Sequence, residues 1–280
     1  MKVKSIKQIS KPEEVFDLEV EDNHNFFTDC GLAHNCHEIG SATYRDLMTY
    51  FKARYVTGLS ATPFREDKLD PVLKLYIGPI VEIDDLGPFV TQLVIRKTNF
   101  QYIFVSRKSK YHKLVEALVH DEARNRMIVE DLKNYYLDGK IAICYSSRIE
   151  HMEILEKMLK EEIPDLTVDI LASKRHGATM TVQDRDLVRK RLRNEEIQVL
   201  NAGKMVEQGF DAPPLSVAVI ATPTKSKRLI LQVLGRCQRE YPGKTGAILH
   251  DYMDENVDIL KFQFFSKHKR IYKEMKKIWL

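Results

Sequence analysis

Between residues 140 and 252 short apolar runs alternate with helix-length amphipathic stretches, and that alternation leaves few folds open. Lys140-Ile141-Ala142-Ile143-Cys144-Tyr145 and the runs at 167–171, 197–200, 215–222 and 247–252 are too short for buried helices. They are also too uniformly apolar for strands with one wet face. Strands buried on both faces need helices on both sides, so the pattern predicts a parallel sheet in an α/β fold. The intervening stretches supply the helices. Residues 111–137 predict one helix with Leu114, Leu118, Met127, Val129 and Leu132 toward the core, ended by Asp138-Gly139. A second opens at Ser146-Ser147 and runs to Lys160, and a basic amphipathic third spans 181–193. The tail, 256–280, predicts a basic amphipathic helix carrying Lys267, Lys269, Arg270, Lys273, Lys276 and Lys277, packed on this unit. Cys144 reads as a buried strand residue rather than a nucleophile.

Residues 3–35 read differently, as short alternating strands at 4–9, 15–20 and 25–28 around polar turns. A segment of that length cannot bury a core unaided, so it predicts part of a β-fold completed from elsewhere. The whole chain, 280 residues with 44% hydrophobic and 30% charged, is globular and long enough for two ordinary domains. A net charge of +4 permits a nucleic-acid partner without demanding one. No apolar run approaches the roughly 20 residues needed to span a bilayer, and Met1-Lys2-Val3-Lys4 opens no signal peptide, so no membrane partner is expected. Cys30, Cys36, Cys144 and Cys237 are too few and scattered for a disulfide framework, which fits a reducing cytoplasm.

The junction between the two regions, His34-Asn35-Cys36-His37, places three reactive groups around one peptide bond. The Asn35 amide can attack its own carbonyl and close a succinimide. His34 can protonate the departing amine, and the Cys36 thiolate can accept an acyl group. Cys30, His34, Cys36 and His37 do not follow the paired spacing of a zinc site, and no metal is expected.

Val15-Phe16-Asp17-Leu18-Glu19-Val20-Glu21-Asp22-Asn23-His24-Asn25-Phe26 and the segment 31–36 resemble the last two sequence blocks of inteins. The resemblance implies that Asp17 supports acyl transfer and His24 assists cyclisation. It makes His34, Asn35 and Cys36 the penultimate histidine, terminal asparagine and first extein residue. The intein's own first nucleophile is absent, so an N-terminal intein fragment fused to the upstream half of the extein is the implied partner. Splicing itself implies no cofactor. A naturally split intein and a chain that merely starts here read alike.

The extein would open Cys36-His37-Glu38, which resembles the back half of the Asp-Glu-Cys-His box of superfamily 2 helicases. Further along, Ser60-Ala61-Thr62-Pro63 resembles motif III of that family. Ser146-Ser147-Arg148-Ile149-Glu150-His151 resembles motif IV, and the stretch from Asn201 to Pro213 resembles motif V. Gln232-Val233-Leu234-Gly235-Arg236-Cys237-Gln238-Arg239 matches motif VI, Gln-x-x-Gly-Arg-x-x-Arg, in full. The resemblance implies ATP and Mg²⁺ as cofactors of the joined enzyme and DNA as partner, with RNA open. It makes His37, Arg236 and Arg239 ATPase residues, the arginines clamping the terminal phosphate. Ser60, Ala61, Thr62, Gly209, Asp211, Gln232 and Gly235 would couple nucleotide to nucleic acid, and Ser146 and Arg148 would contact nucleic acid. Motif V departs from the family pattern at Ala202, which lacks the usual hydroxyl, and at Gln208, where Glu is common.

These readings combine into a precursor. An intein fragment occupies 1–35, the end of a first RecA-like lobe 36–105, and a complete second lobe 106–280. Its activity would be splicing and then ATP-driven unwinding or translocation. The alternatives are a helicase lobe behind a non-splicing relic, and a nucleic-acid-binding fragment without activity.

Overall fold

Strand β4, Ile141–Tyr145, is buried at every position and is an interior strand of a seven-stranded sheet. The computed structural model describes residues 25–28, 31–34, 70–79, 91–103, 111–203, 212–272 and 276–279. The chain divides into two units, Met1–Ile83 and Asp84–Leu280.

In the first unit β1 (Asn25–Thr28) and β2 (Gly31–His34) pair antiparallel, with Asn25 opposite His34 and Thr28 opposite Gly31. Helix α1 covers Asp70–Ile77. The strands expected at 4–9 and 15–20 fall outside the described residues.

The second unit holds, in chain order, β3 (Thr91–Lys97), α2 (Tyr111–Val119), α3 (Glu122–Leu137), β4, α4 (Ile149–Glu162) and β5 (Val168–Leu171). A small hairpin of β6 (Lys174–Arg175) and β7 (Ala178–Thr179) leads to α5 (Val182–Arg193) and β8 (Val199–Ala202). Then come β9 (Leu215–Ile220), α6 (Lys227–Cys237), β10 (Ala247–Met253), α7 (Asp258–Arg270) and β11 (Lys276–Trp279). The sheet order is β11-β3-β10-β9-β4-β8-β5, and every neighbouring pair is parallel.

The period of two along each strand divides the core between the faces. Ile141, Ile143 and Tyr145 join Val188 and Leu192 of α5, Leu229, Val233 and Leu234 of α6, and Phe264 of α7. Ala142 and Cys144 join Ile128, Val129 and Leu132 of α3 and Leu155 and Leu159 of α4. The expected doubly covered parallel sheet is therefore present, and Cys144 lies inside it with burial pushing its thiol up to about 12.

Three expectations change. The helix predicted over 111–137 is two helices, because Asp121 turns extended and caps α3, its carboxylate accepting from the Arg124 N–H at 2.7 Å. The boundary drawn at 105 moves toward the N-terminus, since β3 pairs with β10 along all seven residues and belongs to the second unit. The tail is not one helix. After α7, Tyr272 is buried with its hydroxyl on Asp251 at 2.8 Å, and β11 adds to the open edge of β3.

Candidate functional site

The parallel order gives the sheet two unlike edges, and the motif residues divide between them. At the carboxyl ends of the strands, β4 runs into Ser146-Ser147-Arg148, β5 into the β6–β7 hairpin, and β9 into the segment 221–226. Loops outside the carboxyl ends of parallel strands are the usual ligand-bearing edge of such sheets. Arg148, Lys174 and Lys225 are exposed there. Ser146 is not, being fully buried. Its expected direct contact with nucleic acid is corrected on that ground: the hydroxyl serves the loop itself. Ser146 Oγ meets His151 Nδ1 at 3.0 Å and accepts from the Arg148 N–H at 3.2 Å. The Ser147 N–H donates to Thr222 Oγ1 at 2.8 Å, joining the loops after β4 and β9. The helix begins at Ile149 with Arg148 as its cap residue, and no side chain closes its end.

Helix α6 runs back from this edge toward the amino ends of the strands. Ser226 caps its start, accepting from the Leu229 N–H. Leu229, Ile230, Val233 and Leu234 hold it to the sheet, which fixes where the motif residues between them point. Gln232 is half-buried, and its Oε1 is buried with no hydrogen-bond partner among the described residues. Gly235 faces open space where a Cβ would stand. Arg236 is buried, 8% exposed. Burial pushes its guanidinium down to about 10, and the nearby positive charge of Arg189 on α5 pushes the same way. Arg239 is exposed just past the helix, and its carbonyl accepts from Lys244 Nζ at 2.7 Å. Lys244 also donates to the Pro213 carbonyl at 3.0 Å, tying the end of α6 to the approach to β9. A buried guanidinium with an exposed one three residues on is a donor pair whose planar forks suit a polyphosphate.

A cavity of about 500 Å³ opens near the same amino-end edge, lined by Gln92, Lys140, Glu195, Tyr241 and Lys244 among others. Its polar groups pair with one another, Lys140 with Asp138 at 2.6 Å and the Tyr241 hydroxyl with Glu195 at 2.5 Å. That pairing leaves it without the character of a charged-ligand site.

Among the expected site residues, Asp17, His24, Asn35, Cys36, His37, Ser60, Ala61, Thr62, Gly209 and Asp211 lie outside the described residues. His34 closes β2 opposite Asn25. Ala202, the motif V departure, is a fully buried residue of β8 whose carbonyl accepts from the Ser146 N–H. Asn125, His151 and Thr222 were missed as site residues. Two of them carry a local signal: His151 ends the stretch that resembles motif IV, and Ala221-Thr222-Pro223 repeats the Ala61-Thr62-Pro63 triplet. No group of three His, Cys, Asp or Glu able to hold a metal occurs among the described residues. No helix among them is long and apolar enough to cross a membrane.

Residues 109–240 match the model of the helicase conserved C-terminal domain. The DNA 3'-5' translocase XPB2 of Sulfurisphaera tokodaii is 26% identical over 242 residues, which cover 73% of this chain and 54% of that protein. The chain spans about half the length of the first curated relatives it matches. Among solved structures, S. cerevisiae Dbp5 bound to RNA and ADP BeF3 superposes with a TM-score of 0.59 at 12% identity. That match covers 88% of this chain and 59% of Dbp5. T4 UvsW gives a TM-score of 0.50 at 18% identity over 68% of this chain and 41% of its own. At these identities the two structures show the fold alone. The fold is that of a RecA-like lobe, and residues 109–240 within it are similar to the helicase conserved C-terminal domain.

Proposed function

We propose that residues 84–280 are the second RecA-like lobe of a superfamily 2 ATP-dependent helicase or translocase, and that 36–83 end its first lobe. The observation that carries this reading is α6, which places Gln232, Gly235 and Arg236 on one helix with Arg239 just beyond. ATP with Mg²⁺ would supply the transferable phosphoryl group. Arg236 and Arg239 would hold charge on its terminal phosphate, and a planar guanidinium suits that by bidentate contact. The Asp-Glu pair that precedes Cys36-His37 in the family box would come from upstream. Ser60, Ala61 and Thr62 would link His37 to the strand-binding edge, and Gly209 and Asp211 would link nucleotide to nucleic acid from the other lobe. Nucleic acid, DNA first and RNA second, would run along the carboxyl-end loops past Arg148 and Lys225. Titrating a fluorescent single-stranded oligonucleotide tests this edge. Affinity should fall steeply with salt and drop in Lys225→Glu; salt-independent or absent binding would contradict it.

For the N-terminal segment we propose a splicing role. The β1–β2 register supports it: Asn25 opposes His34, and in the sequence His24 directly precedes Asn25 and Asn35 directly follows His34. In this reading Asn35 cyclises with help from His24 and His34. Cys36 takes the upstream acyl group after an earlier step supported by Asp17, and an N-terminal intein fragment with the upstream half is the partner. Co-expression with an upstream half that ends in Asp-Glu and continues into an N-terminal intein fragment should yield a ligated product lacking residues 1–35 by mass. Cys36→Ala should abolish ligation, and unchanged masses at neutral reducing pH would sink the role.

A further inference from the structure

We infer that His151 is a positioning residue, a buried imidazole that ties the loop carrying Arg148 to α3 and so sets where Arg148 meets nucleic acid. The inference rests on the nucleic-acid reading of Arg148 given above.

The geometry is a chain of hydrogen bonds with one polarity. Asn125, in the first turn of α3, spends its amide N–H on the Val119 carbonyl at 2.8 Å, so its oxygen faces His151. His151 Nε2 lies 2.9 Å from that oxygen and must carry the proton. His151 Nδ1 is therefore an acceptor, and the Ser146 hydroxyl donates to it at 3.0 Å. With its proton committed, Ser146 Oγ offers a lone pair to the Arg148 N–H at 3.2 Å. Both exposed residues of the loop thus hang their backbone N–H groups on buried hydroxyls, Arg148 on Ser146 and Ser147 on Thr222.

Four described side chains serve this loop, and all four are buried: Asn125, Ser146, His151 and Thr222. An apolar residue at 151 would fill the space without orienting the hydroxyl. The Ser146 proton would then turn to the Arg148 carbonyl, also 3.2 Å away, and the grip on the Arg148 N–H would loosen. Burial holds the imidazole down to about 3, so the chain keeps its polarity across the physiological range.

Two isosteres separate the halves of the chain. In the full protein, His151→Asn keeps an acceptor near the Nδ1 position and loses the Asn125 link. His151→Gln keeps a donor near Nε2 and loses the acceptor for Ser146. Amide hydrogen exchange at Ser147 and Arg148, urea stability, and affinity for a single-stranded oligonucleotide are read on each. Positioning predicts similar stability in the two variants. It also predicts native exchange and affinity in His151→Asn, with lost protection and roughly tenfold weaker binding in His151→Gln. Equal exchange and equal affinity in the two variants would overturn the positioning role and leave His151 a packing residue. Arg148→Ala should weaken the oligonucleotide by a similar factor with normal exchange at Ser147. Unchanged affinity in that variant would overturn the reading of Arg148 itself, while the exchange comparison still judges His151.

Discussion

Arg124 donates through Nε to Asp254 at 2.8 Å with both side chains 1% exposed, joining the start of α3 to the carboxyl end of β10. Arg124 Nη1 also donates to the Ala221 carbonyl at 2.6 Å, and Thr98 Oγ1 donates to Asp254 at 2.5 Å. One buried pair thereby fixes the ends of β3, β9 and β10 relative to the loop edge. Breaking such a pair strands a charge, so Arg124→Met should cost about 3–5 kcal/mol in urea unfolding. Arg124→Met combined with Asp254→Leu should cost less than the sum of the single changes. Additive losses would show that the two groups do not act together.

Stability should fall as the solution is acidified through the histidine range. Burial holds both His151 and His250 down to about 3, whereas an unfolded histidine titrates near 6.5. At His250 burial wins even though Asp131 lies 3.5 Å from Nε2. Below pH 6.5 the unfolded chain therefore binds protons that the native state refuses, and the loss grows until about pH 3. Each histidine should cost about 2 kcal/mol between pH 7 and pH 5. Urea unfolding at the two pH values checks it, and His250→Phe should remove that histidine's share of the slope.

The tail is held by a buried carboxylate. Asp251 receives Lys267 at 2.5 Å and the Tyr272 hydroxyl at 2.8 Å, across the face covered by α7. Tyr272→Phe deletes one bond to a charged group and should destabilise by about 1.5–3 kcal/mol in urea unfolding. Exchange protection at the amides of β11 should fall with it.

How much of this was legible depends on how local each signal is. The runs at β4, β8 and β9 announce themselves because both neighbours of a central parallel strand are apolar. The tail misleads because Lys267, one of its run of basic residues, is buried on Asp251, a partner 16 residues earlier in a different element. Strand β3 was assigned to the first lobe because its partner β10 lies some 150 residues away. At the site, the spacing from Gln232 to Arg239 is readable within one helix and its cap. Ser146, Asn125, His151 and Thr222 become one network only when α3, α4 and the ends of β4 and β9 are brought together. Residue type alone therefore suggested a surface role for Ser146 that its burial excludes.

Thr222→Val removes the acceptor of the Ser147 N–H while keeping side-chain shape. Leaving that N–H without its partner should cost about 1–3 kcal/mol, and Thr222→Ser should restore most of it. Equal stability of the Val and Ser variants in urea would show that the bond contributes nothing.

In the proposed reading α6 completes an ATPase site together with a phosphate-binding half supplied from upstream. The direct measurement is steady-state ATP turnover, with and without single-stranded nucleic acid, by the chain joined to that upstream half, beside Arg236→Ala and Arg239→Ala. Stimulated turnover that falls by roughly 10³-fold or more in either variant, with nucleic-acid affinity retained, is the predicted result. Turnover unchanged in both variants would contradict it.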